Sequence, residues 1–206
     1  EEHHPAPPWR HQLVRALQVR TKDPDVHLAD WLRDGAPMGI RRPIGRGMLF
    51  PEVAAESVAD PDEVLHRPLR DNHLSFTGTG AREDTGPQLV AEHIAEGFGD
   101  LFHDAAAASE WLGSPISFAP LGCIVKLRPG GSEKARIIQD LRRNGVNEAC
   151  AVPERQVLPT LFHHGQDMAR LLAERGRDDE LEVLILDFRS AFMTLPLHAA
   201  ERPFNA

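Results

Sequence analysis

The spacing of apolar positions divides this chain into short elements. Trp9, Leu13, Val14, Ala16 and Leu17 recur at helical spacing and predict a helix over 9–20. Asp23-Pro24-Asp25 interrupts it, and a second helix is expected over 28–33, closing near Gly35. From 41 to 86, proline and glycine recur without sustained periodicity. One or two helical turns fit at 61–67, and the region is expected to wrap the core or stay mobile. The clearest helix is expected over 87–102. Leu89, Val90, Ile94, Gly97, Phe98 and Leu101 form its apolar face, with Glu92, Glu96 and Asp100 turned away. Asp104 can cap a further helix over 105–112 that ends at Gly113.

Beyond that helix the period changes. Residues 117–125 are apolar and β-like, Pro129-Gly130-Gly131 breaks the run, and 135–141 resumes it. Two strands around a glycine turn predict an antiparallel hairpin, with 124–126 facing 136–141 and the turn exposed. Leu161, Met168, Leu171 and Leu172 mark a helix over 161–175. His163 and His164 on it are read as exposed or capping. Val183 to Leu186 is a short apolar run that reads as a buried strand ending at Asp187. Pro196 stops any helix that starts after Asp187. Residues 1–8 are polar and proline-rich, and are expected to be disordered.

Composition narrows the class. Hydrophobic residues make up 41% of the 206 and charged residues 26%, a globular balance. No apolar run approaches the ~20 residues of a membrane span, so no membrane partner is expected. Cys123 and Cys150 are the only cysteines and form no CxxC pair, which excludes a disulfide scaffold and a cysteine-rich zinc site. Two isolated thiols fit a reducing, intracellular compartment, cytoplasmic or nuclear. The chain starts with Glu and has no signal-peptide pattern, so a fragment of a longer product is expected.

The net charge of −8 is unevenly spread. Residues 81–120 hold one basic and seven acidic groups, whereas 121–143 hold six basic and two acidic. Lys126, Arg128, Lys134, Arg136, Arg142 and Arg143 therefore concentrate positive charge around the glycine turn, as phosphate contact requires.

Two motifs carry a family resemblance. In the first, Asp187 ends an apolar strand, small Ser190 and Ala191 follow, and Phe192 lies five residues on. The second is Ile124-Val125-Lys126, the glycine turn, then Lys134-Ala135-Arg136-Ile137-Ile138-Gln139-Asp140-Leu141-Arg142-Arg143, ending at Asn147. Together they resemble the palm and fingers motifs of reverse transcriptases, in particular retrotransposon enzymes. Leu195-Pro196-Leu197, Glu201-Arg202-Pro203-Phe204 and the stretch from Val152 to Pro159 look like the same family.

The resemblance implies an α+β fold: the fingers–palm portion of a right-hand polymerase. Residues 87–206 would hold the fingers and first palm strand, after a partly irregular, mainly helical extension over 1–86. It implies template-directed DNA synthesis from deoxynucleoside triphosphates on a nucleic acid template–primer. Asp187 would be catalytic and hold Mg²⁺, with the Phe188 carbonyl as a further ligand. Lys126 or Arg128, together with Arg136, would grip the triphosphate. Ser190 and Ala191 would offer backbone amides to its phosphates, Phe192 would exclude a ribose 2′-hydroxyl, and Arg142 would support the template. A two-metal centre needs more carboxylates than Asp187, and Asp178-Asp179 has no strand before it to supply them. The chain alone is therefore expected to be inactive. The alternative from another class is a non-catalytic retroelement remnant with weak nucleic-acid binding.

Overall fold

A computed structural model describes residues 10–47, 50–53, 59–80, 83–176, 180, 182 and 193–206. Short helices and a two-stranded antiparallel sheet make up its regular structure, an α+β arrangement. The first pair of helices, α1 (His11–Thr21) and α2 (Leu28–Asp34), pack on one another. An Arg15–Asp30 ion pair joins them. Helix α1 ends at Lys22, which takes a left-handed conformation just before the Asp23-Pro24 break.

Two further short helices lie in the region that lacked periodicity. Asp60 caps α3 (Pro61–Leu65) by accepting a bond from the Asp62 N–H, with Pro61 at the first helical position. Helix α4 (Leu74–Thr77) is a single turn. The expected long helix is shorter than its pattern. Helix α5 (Thr85–Ala95) stops at Glu96 because Gly97 turns left-handed, with φ 78°. Gly97, Phe98 and Leu101 therefore do not extend its apolar face. Helix α6 (Ala105–Leu112) follows expectation, with Asp104 accepting from the Ala107 N–H and Gly113 closing it in the left-handed region.

Strands β1 (Leu121–Leu127) and β2 (Glu133–Gln139) form an antiparallel hairpin as expected, but both run closer to the turn: β1 starts at Leu121 and not at 117, and β2 ends at Gln139, leaving Asp140 and Leu141 outside the ladder. After it comes α7 (Val146–Ala149), too short to leave a periodic signal. Helix α8 (Leu161–Glu174) runs where its pattern placed it, with no buried residue. His163 is a capping residue there, accepting the Thr160 N–H at 3.0 Å. The chain closes on a 3₁₀ helix (Ala199–Phe204). The expected strand over 183–186 lies outside the described residues, as does the expected tail over 1–8.

The core joins distant parts of the chain. Val64 and Leu65 of α3 pack with Val146 and Ala149 of α7 and with Phe204, all buried. Met38, Ile40, Leu141 and Cys150 flank them. Residues on both sides of position 86 thus share one hydrophobic cluster. No helix among the described residues is long and apolar enough to cross a membrane.

Candidate functional site

The site is built on the hairpin. Its register pairs Leu121 with Gln139, Ile124 with Arg136 and Lys126 with Lys134. Side chains alternate across a strand, so even-numbered residues of both strands share one face and odd-numbered ones the other. On the odd face, Leu121, Cys123, Val125, Ala135 and Ile137 are buried or half-buried. Helix α5 packs across both strands, and α4 packs against β1. On the even face, Ile124, Lys126, Lys134, Arg136 and Ile138 are exposed, and Gly122 alone is buried.

That parity explains the chemistry of the open face. Lys126 and Lys134 stand opposite one another, Arg136 lies diagonally across from Lys126, and Arg128 continues the row toward the tip. No ion pair among the described residues joins any of these four to a carboxylate. Like charges directly opposite one another destabilise a bare hairpin. An arrangement that keeps them together suits an anion that lies across both strands.

The tip is a glycine turn. The Arg128 N–H donates to the Ser132 carbonyl at 2.8 Å, and the Gly131 N–H donates to Arg128 at 3.0 Å. Gly130 and Gly131 have φ of 101° and 85°, values that side chains with a Cβ rarely adopt. A Cβ at either would touch nothing within 4 Å, so conformation and not space demands glycine there. Residues 128–134 are all exposed.

The root is tied to the preceding segment by hydrogen bonds. The outer edge of β1 is closed by the preceding segment. Asn72 Oδ1 accepts the Leu121 N–H at 2.8 Å, Ser75 Oγ accepts the Cys123 N–H at 3.3 Å, and the His73 N–H donates to the Leu121 carbonyl at 2.9 Å. Asp140 sits where β2 ends. Its N–H donates to the Pro120 carbonyl, and its carboxylate accepts the Arg143 N–H at 3.0 Å and lies 3.0 Å from His73 Nε2. The Arg143 amide, then the His73 ring, hold the Asp140 carboxyl below the ordinary range, against partial burial. Asp140 is therefore a brace between the hairpin and residue 73.

The expected site residues fall into three groups. Lys126, Arg128 and Arg136 are brought onto one exposed face. Arg142 is exposed too, but in the turn after β2, at the opposite end from Arg128. At ~3.3 Å per strand residue, roughly 20 Å separates the two ends. Asp187, Phe188, Ser190, Ala191 and Phe192 lie outside the described residues. Among the described residues no cluster of three His, Cys, Asp or Glu could hold a metal ion. Lys134, not among the expected site residues, joins them on that face, and its even spacing from Arg136 is the sequence signal for it. Asn147 is exposed, whereas Asn144 is buried and donates to Ser117 Oγ at 3.1 Å. Comparison with protein-family models, curated proteins and solved structures finds no match to this chain.

Proposed function

We propose that this chain is the fingers and early palm portion of a reverse transcriptase. The observation that supports this most is the hairpin. Its register puts Lys126, Lys134 and Arg136 on one open face behind a glycine tip, with Arg128 at the tip's base. Arginine offers paired donors to phosphate oxygens, and lysine offers a mobile point charge. A triphosphate or a nucleic-acid backbone fits such a face better than a neutral ligand does.

In this reading Asp187 and the Phe188 carbonyl would hold Mg²⁺, which would supply charge neutralisation to a bound phosphoryl group. Lys126, Arg128 and Arg136 bind the triphosphate, Ser190 and Ala191 give it backbone amides, and Arg142 supports the template. Phe192 under the sugar rejects a 2′-hydroxyl by steric clash. The working compartment is a reducing one, in which Cys123 and Cys150 stay free thiols, as they are here.

Calorimetric titration with a deoxynucleoside triphosphate, with and without Mg²⁺, tests the reading. Binding is expected to weaken in Arg136→Ala and Lys126→Ala and to hold in Arg170→Ala. Asp187→Asn is expected to remove the Mg²⁺-dependent part alone. Equal binding by Asp187→Asn and the parent chain with Mg²⁺ present would leave a general polyanion binder, not a polymerase piece.

A further inference from the structure

We infer that three stretches before position 66 act as one clamp on both ends of residues 156–195. The stretches are 35–42, 51–53 and 59–65. The inference rests on contacts among described residues and not on the polymerase reading.

One end is held through 148–155. The Ala151 N–H donates to the Gly39 carbonyl at 2.9 Å, and the Ala59 N–H donates to Glu148 at 2.8 Å. Glu52 and Glu154 form an antiparallel bridge, flanked by Val53 N–H to Pro153 at 3.1 Å and Arg155 N–H to Pro51 at 2.8 Å. Two carboxylates opposite one another repel. Arg46 offsets this, lying 3.1 Å from Glu52 and 3.9 Å from Glu154.

The other end is held through 196–204. Ala36 and Leu197 form a parallel bridge, with Ala36 N–H to Pro196 at 2.7 Å and His198 N–H to Ala36 at 3.0 Å. The backbones meet so closely that a Cβ on Gly35 would lie 2.4 Å from the His198 nitrogen. Glu201 then locks the contact. It is fully buried, and its carboxylate accepts the Arg41 N–H at 3.2 Å and the Arg42 N–H at 2.9 Å. A buried carboxylate is tolerated only when its lone pairs are used, and here the clamp's own backbone uses them. The Arg41 guanidinium pairs with Asp62 and lies over the Phe204 ring, 5.7 Å from its centre.

Both ends therefore answer to the same segment. Val64 and Leu65 press on α7 and Phe204 at once, so loosening one end withdraws support from the other. The span from 155 to 196 is set by the clamp. Glu201 is its positioning residue.

Hydrogen exchange of the full chain, resolved by residue, tests this. Glu201→Ala is expected to speed exchange about 10- to 100-fold, the range for losing bonds to a charged acceptor. The rise should appear together at Ala36 and His198 and, at the far end, at Val53, Ala59, Ala151 and Arg155. Ile124 and Arg136, paired across the hairpin, should be unchanged. Glu201→Gln keeps an acceptor oxygen and should give a smaller rise at the same amides. A rise at Ala36 and His198 alone would show two independent contacts and overturn the clamp. An equal rise in the hairpin would overturn it too, since the segment would then open only with the whole fold.

Discussion

The open face of the hairpin makes a quantitative prediction about salt. Four cations, Lys126, Arg128, Lys134 and Arg136, lie along it without a carboxylate partner among the described residues. If each neutralises one phosphate, log affinity falls with log salt at a slope of about −3.6 for duplex and −2.8 for single strands. Between 50 and 200 mM salt that is a loss of about 150-fold for duplex and about 50-fold for single strands. Replacing Lys126 and Arg136 by alanine halves the contacts, and the same interval should then cost only about 12-fold and about 7-fold. Both side chains are exposed, so the change in stability should stay within about 0.5 kcal/mol. Slope is the right observable because the net charge of −8 lowers absolute affinity without adding phosphate contacts. Fluorescence anisotropy with a labelled template–primer, at five salt concentrations, measures it. An unchanged slope in a folded Lys126→Ala, Arg136→Ala double variant would refute the assignment of this face to phosphate.

Two further predictions concern stability. Phe204 is fully buried against Val64, Leu65, Val146 and Ala149, so Phe204→Ala should cost about 3–5 kcal/mol in urea unfolding; a loss under about 1 kcal/mol would mean the cluster is not the core. Asp140 is held below its ordinary pKa, by the Arg143 amide before the His73 ring. Its contribution should be complete above the unfolded pKa of about 3.9 and vanish as pH falls through the lower folded value. Chemical shifts of residues 72–75 and 140–143 followed from pH 6 to 2 should show the root loosening, and Asp140→Asn should remove that dependence.

The parts of this fold legible in the sequence are those decided within a few residues. The hairpin was readable because two apolar runs bracket a double glycine, which marks strand, turn and strand within a few residues. The Asp104 cap and the Gly113 stop of α6 were readable for the same reason. Helix α5 shows the limit of periodicity: Gly97 kept the apolar pattern alive past the point where its backbone ends the helix. Helices α4 and α7 span four residues each, too few to carry a period.

What the sequence hid is contact at long range. Glu201 binds amides 159 and 160 residues away, and nothing local distinguishes it from a solvated glutamate. In the sequence, Glu201-Arg202-Pro203-Phe204 carries only a family resemblance. Its physical content is a buried carboxylate and a buried ring, three residues apart, facing the 41–42 amides and the α3–α7 cluster. His73 likewise braces Asp140 from 67 residues upstream. The two hidden contacts have one consequence for the site. Residue 73 fixes the hairpin root, and the 35–65 stretches fix the ends of the segment bearing Asp187. The tip is left with no such support, since residues 128–134 are exposed throughout. A cationic tip projecting from a braced root leaves its charges open to a phosphate, as the proposed function requires.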